Sequence, residues 1–136
     1  MTDTSQNVAR LHRVLIVDDE PALLDALKMA LQRGGCEVTA CRTFEEARQK
    51  LLTEPFDVLV TDVRLGAFNG IQLAVVARDS SAEMKIVVFS GYDDPVLRGE
   101  ATKLGATYLV KPISAEQLLQ FIDDCSSATE ETREKH

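Results

Sequence analysis

Arg13-Val14-Leu15-Ile16-Val17-Asp18-Asp19-Glu20-Pro21 is the stretch on which the fold turns. Four aliphatic residues run without a polar interruption and end abruptly in three acids and a proline. An unbroken apolar run of this length reads as a strand covered on both faces; a half-solvated strand would alternate. Pro21 cannot extend that strand but suits the first turn of a helix. Leu23, Leu24, Leu27, Ala30 and Leu31 then recur at helical spacing, and Gly34-Gly35 stops the segment. The reading is a strand over 13–17, an acidic turn, and a helix over 21–34.

The same alternation continues outward. Residues 37–41 read as a second strand. Thr43-Phe44-Glu45-Glu46 has the form of a capping box and opens a helix to about Leu52. Pro55 breaks the chain before a strand over 57–61, and Asn69-Gly70 punctuates a loop before a helix over 71–78. Lys85-Ile86-Val87-Val88-Phe89 is dense in β-branched residues and reads as a central strand. Asp94-Pro95 opens a helix through Lys103 that ends at Gly105. Residues 107–110 form the fifth strand. Ser114-Ala115-Glu116-Gln117 opens a last helix that buries Leu118, Leu119 and Ile122. Five strands alternating with five helices, joined by right-handed crossovers, predict an α/β fold with a doubly wound parallel sheet. The expected organisation is one domain over 12–126. A polar tail precedes it over 1–11, and a polar tail or linker stub follows over 127–136.

Composition narrows the function. The chain of 136 residues is 45% hydrophobic and 27% charged, within the range of globular proteins. Its apolar runs fall far short of the roughly 18 residues a membrane span needs. The first ten residues lack an apolar core of the secretory type, which points to the cytoplasm. The net charge is -7, with no basic patch that would suit a nucleic acid. Cys36, Cys41 and Cys125 are an odd set without metal or redox spacing, so buried free thiols are expected.

In an open α/β sheet, chemistry collects at the carboxyl ends of the strands. There stand Asp18, Asp19 and Glu20 after the first strand, Asp62 after the third, Ser90 after the fourth and Lys111-Pro112 after the fifth. The first turn has none of the glycines that cradle a nucleotide phosphate, and its acids repel one. Three converging aspartates also repel each other, so at least one carboxyl pKa should rise unless a cation intervenes. Mg²⁺ suits a site with few carboxylates and several waters. A carboxylate beside such an ion can attack phosphorus and form an acyl phosphate. Lys111 and Ser90 would then supply a cation and a hydrogen bond to the phosphoryl oxygens. Singly, each residue has a plainer reading. Asp18 or Asp19 serves equally well as a helix cap, Asp62 as a turn residue, Lys111 as a solvated charge and Tyr108 as a core aromatic. Unrelated caps and surface charges do not account for the joint set at four strand ends.

The segments 14–21, 57–62, 87–91 and 105–113 together resemble the receiver domain of a two-component response regulator. The spacing carries the resemblance: 44 residues from Asp18 to Asp62, 28 on to Ser90 and 21 on to Lys111. It implies a flavodoxin-like sheet in the order 2-1-3-4-5, with Asp62 as phosphoacceptor. It implies Mg²⁺ bound directly by Asp19, through water by Asp18, and by Asp62 and the backbone carbonyl of Arg64. Ser90 and Lys111 hold the phosphoryl group, Tyr108 changes rotamer on activation, and Lys111-Pro112 is often cis in the family. Ser90, drawn toward the phosphoryl group, would vacate space that Tyr108 fills. The implied partners are a sensor histidine kinase or phosphotransfer protein, and an output domain or target protein. A face carrying Arg98, Glu100, Lys103, Glu116, Gln120 and Asp123 around Tyr108 is the expected partner or dimer surface.

Two features depart from the family pattern. Leu65-Gly66 replaces the usual Met-Pro pair, and glycine there predicts a more mobile loop. Arg64 places a long cation beside the metal, and its expected direction is solvent. The reading is a signalling domain, self-catalysing only in taking up and losing phosphoryl. Two rivals remain at this level. One is a Mg²⁺-dependent phosphohydrolase, whose Asp-x-Asp nucleophile pattern and cap are missing here; the other is a receiver-like scaffold that is never phosphorylated.

Overall fold

The computed structural model describes residues 12–123. Both expected tails, residues 124–126 and Cys125 lie outside that range. β1 (Arg13–Val17) leads to α1 (Pro21–Arg33), β2 (Glu37–Cys41) to α2 (Phe44–Thr53), and β3 (Val58–Asp62) to a small ribbon of β4 (Arg64–Leu65) and β5 (Phe68–Asn69). α3 (Gly70–Ser80), β6 (Lys85–Ser90), α4 (Pro95–Lys103) and β7 (Thr107–Val110) follow. Residues 115–123 are again helical. The main sheet is parallel throughout, in the order β2-β1-β3-β6-β7. Counting only its five strands, this is the expected 2-1-3-4-5.

The strand pleat splits the core in two. Leu15 and Val17, Leu59, Ile86 and Val88 face Ala47 and Leu51 of α2, Leu73 and Ala77 of α3 and Ala101 of α4. Val14 and Ile16, Val58 and Val60, Val87 and Phe89 face Leu24, Leu27 and Leu31 of α1 and Leu118 and Ile122. Consecutive residues thus enter opposite layers, which is why the strand sequences are apolar without alternation. Each such buried aliphatic side chain contributes about 1.5–3 kcal/mol. Cys36 and Cys41 are buried free thiols, as expected. Burial pushes both thiols up, that of Cys41 to about 11.

Local capping set most boundaries. The Thr43 hydroxyl accepts from Glu46 N at 3.2 Å, while the Glu46 carboxylate reaches back to Arg42 N rather than to Thr43 N. The third strand is shifted from the expected 57–61 to Val58–Asp62. Asp57 instead borders it, with its carboxylate accepting from Arg13 N at 2.8 Å. The helix expected over 71–78 runs over Gly70–Ser80 because Asn69 and Gln72 make a full capping box.

The ribbon was not foreseen. Arg64 pairs with Asn69 and Leu65 with Phe68, leaving Gly66 and Ala67 as a two-residue loop. Gly66 has φ of 64°, and Ala67 is not in the positive region. That is the pattern of a II′ hairpin, which takes glycine at its first loop position. The loop at Leu65-Gly66 is thus the turn of a hairpin. Stacking of Phe68 on Phe44, with ring centroids 4.4 Å apart, braces it.

Candidate functional site

Parallel register brings the acids together. Val17 lies opposite Thr61, so Asp18 and Asp62 leave neighbouring strands side by side and on the same face as Ile16 and Val60. Asp18 is fully buried and Asp62 nearly so, whereas Asp19 is exposed. Carboxylate oxygens of the three lie within 4.8 Å of one another. Asp18 Oδ1 accepts from Glu20 N at 2.8 Å, which ties the acidic turn to the start of α1. Its other oxygen, Oδ2, is buried without a hydrogen bond. Burial raises the Asp18 pKa, the Glu20 amide opposes this, and the negative charge of Asp62 adds to the rise. A buried carboxylate oxygen with no donor is what a cation would satisfy.

Lys111 closes the other side. The Lys111-Pro112 peptide is cis. Lys111 Nζ stands 3.4 Å from Asp62 Oδ2 and 3.8 Å from Asp18 Oδ2. It also lies 5.2 Å from the centre of the Phe89 ring, which shares the face of Asp62. Phe89 is a support the sequence reading missed; its signal was the strand parity that places it beside Asp62.

Ser90 ends β6, next to the register partner of Asp62. It follows Phe89, so the pleat sends it toward the opposite layer, with Val88 and Tyr108. Its hydroxyl accepts from Tyr92 N at 3.2 Å. Tyr108 is 5% exposed, and its hydroxyl donates to the Tyr92 carbonyl at 2.7 Å. Arg98 covers the Tyr108 ring at 4.9 Å and is itself held by Asp93. The ring is therefore inside in this structure.

Arg64 is exposed, as expected. Its amide points to Asp62 Oδ1 at 3.4 Å, and its guanidinium lies over the exposed Tyr92 ring, a contact the sequence reading missed. A tyrosine two residues past Ser90, opposite a cation two residues past Asp62, was the available signal.

A family model described as the response regulator receiver domain matches residues 14–123. The chain belongs to that family. Its function is that of the family, signal reception in two-component phosphorelays. Such receivers are signalling domains rather than enzymes that turn over a metabolite. The chain is 31% identical over 111 residues to the response regulator protein PilR of Pseudomonas aeruginosa, covering 81% of this chain and 25% of PilR. It thus spans about a quarter of that relative. A CheY-like response regulator receiver domain protein of Methanospirillum hungatei JF-1 superposes with a TM-score of 0.84 at 31% identity, covering 90% of this chain and 99% of that one. A response regulator protein from Burkholderia pseudomallei, solved with a phosphorylated aspartic acid and a calcium ion, gives 0.76 at 27% identity, covering 92% and 75%. No helix among the described residues is long and apolar enough to cross a membrane.

Proposed function

We propose that Asp62 is the phosphoacceptor of a cytoplasmic receiver. An Asp62 carboxylate oxygen attacks the phosphorus of a phosphohistidine on a sensor histidine kinase or phosphotransfer protein. The P–N bond breaks, imidazole leaves, and an acyl phosphate forms. Water later attacks the phosphorus, releasing inorganic phosphate and restoring the carboxylate. The protein catalyses these steps on itself, and its product is a changed surface.

Asp19, Asp62 and the Arg64 carbonyl would hold Mg²⁺ directly, with Asp18 acting through water. The ion would supply positive charge to the transferring phosphoryl oxygens. Lys111 supplies a second cation, already held at the reacting carboxylate by Phe89 and both buried aspartates. Ser90 donates its hydroxyl proton to a phosphoryl oxygen once it turns from the Tyr92 amide. Phosphoryl charge at the end of β3 then shifts the populations of two packings around Tyr108.

The readout face is the exposed surface of α4, β7 and the helix over 115–123. Arg98, Glu100, Lys103, Glu116, Gln120 and Asp123 are all exposed, and Tyr108 is buried; of these, Asp123 lies near Cys36 beside β2, at the other edge of the sheet. The face serves an output domain, a target protein or a second copy. The domain occupies 12–126, with 127–136 as a tail or linker stub.

The observation that carries this reading is the buried Asp18 Oδ2, without a hydrogen bond, beside Asp62 and 3.8 Å from Lys111 Nζ. A small phosphodonor with Mg²⁺ should add one phosphoryl group, and Asp62→Asn should abolish it. Undiminished labelling of Asp62→Asn would overturn the assignment.

A further inference from the structure

Two residues, Thr61 and Gly70, contact the main-chain carbonyl of Asp62. Thr61 is fully buried, and the pleat turns its side chain away from the acidic cluster. Its hydroxyl donates to the carbonyl oxygen of Asp62 at 2.9 Å. On the same side Gly70, the first residue of α3, presses on that carbonyl. A Cβ built on Gly70 would overlap the Asp62 carbonyl oxygen and lie 3.1 Å from both the Asp62 carbonyl carbon and Thr61 Cγ2. Gly70 is not in the positive-φ region, so space and not backbone conformation calls for glycine here. Its amide donates to the Val63 carbonyl at 2.7 Å, closing the loop that leaves Asp62 and returns. The β4–β5 hairpin makes that return, braced by Phe44 on Phe68.

We propose that Thr61 and Gly70 are positioning residues for the Asp62 carboxylate, acting through its main-chain carbonyl without touching the reacting atoms. The proposal rests on Asp62 being the phosphoacceptor. The carbonyl is the far end of the unit whose Cα carries the carboxylate. With the hydroxyl bonded to it and the bare Cα of Gly70 packed against it from the same side, the carbonyl is held in place. The carboxylate then projects between Asp18 and Lys111. A methyl group at Gly70 must move either the end of β3 or the start of α3. Loss of the Thr61 hydroxyl frees the carbonyl to rotate.

The test uses the full chain as wild type, Thr61→Val, Thr61→Ser, Gly70→Ala and Asp62→Asn, with Gly99→Ala as control. Gly99 lies exposed on α4 with open space around its Cα, so the same methyl group meets nothing. Labelling by a small phosphodonor is measured at saturating Mg²⁺ and normalised to the folded fraction by circular dichroism. A merely structural role would lower the folded fraction and leave the normalised rate unchanged. Thr61→Val and Gly70→Ala should label roughly ten- to a hundredfold more slowly, since small misplacements of a reacting group cost that much. Thr61→Ser should recover most of the rate, and Gly99→Ala should match wild type. A wild-type normalised rate in Thr61→Val overturns the role of Thr61, and one in Gly70→Ala that of Gly70. If Gly70→Ala does not fold, the Thr61→Val and Thr61→Ser pair decides. Labelling that persists in Asp62→Asn would instead refute the phosphoacceptor reading.

Discussion

The hydroxyl of Tyr108 donates a 2.7 Å hydrogen bond to the main-chain carbonyl of Tyr92. The amide of the same Tyr92 donates to Ser90 Oγ. One residue of the β6–α4 loop therefore joins the end of β6 to the buried ring on β7. The two residues expected to form the switch are thus joined through the main chain of Tyr92.

Ser90→Ala removes the acceptor of the Tyr92 amide but leaves Asp62, Asp18 and Lys111 in place. It should still accept phosphoryl, with a smaller phosphorylation-dependent change at Tyr108 in aromatic NMR. A full wild-type response would show that the hydroxyl does not carry the signal. Tyr108→Phe deletes the bond to Tyr92 and should lower unfolding free energy by about 1 kcal/mol in urea titration.

Mg²⁺ should stabilise the folded chain, since the carboxylate cluster exists only in the native state. At about a hundred times its Kd, the ion would add about 2.7 kcal/mol. Asp19→Ala should remove most of this response. Asp18→Asn should raise the melting temperature of the metal-free chain, because it removes a buried charge held against Asp62. Thermal scans with and without Mg²⁺ check both; a wild-type Mg²⁺ response in Asp19→Ala would contradict the site.

Arg64 and Tyr92 flank the site from the β3 and β6 loops, with the guanidinium 5.5 Å from the ring centre. Such a pair at an exposed position is worth about 0.5–1 kcal/mol. Under the proposed function, a pair placed there would restrict the approach of water to a phosphoryl group on Asp62. Arg64→Ala and Tyr92→Ala should each shorten the lifetime of the label with little effect on stability. The double variant should decay no faster than either single, because both remove the same contact. Unchanged decay of the label would dismiss the pair.

Arg78 fastens the far end of the same layer. Its guanidinium donates to the carbonyls of Leu104, Ala82 and Met84 at 2.8–2.9 Å, and to Ser81 at 3.2 Å. Arg78→Ala should cost about 2–4 kcal/mol in chemical denaturation, since partly buried carbonyls lose their donors. Arg78→Lys should not restore it, because one ammonium cannot reproduce the planar fork. A change within the error of the titration would refute this role.

What the sequence determined by itself was local. Unbroken apolar runs marked strands covered on both faces, and Pro21, Thr43 and Asp94 marked helix starts. Strand ends then located Asp18, Asp62, Ser90 and Lys111, because a strand's end is written where its apolar run stops. The tertiary structure alone decided relations between segments far apart in the chain. Parallel register set Asp18 beside Asp62, and strand parity put Phe89 under Lys111 while sending Ser90 toward Tyr92. The II′ hairpin brought Gly70 against the Asp62 carbonyl. A one-residue change of register turns every side chain to the other face, so these contacts depend on pairing and packing that no single segment records.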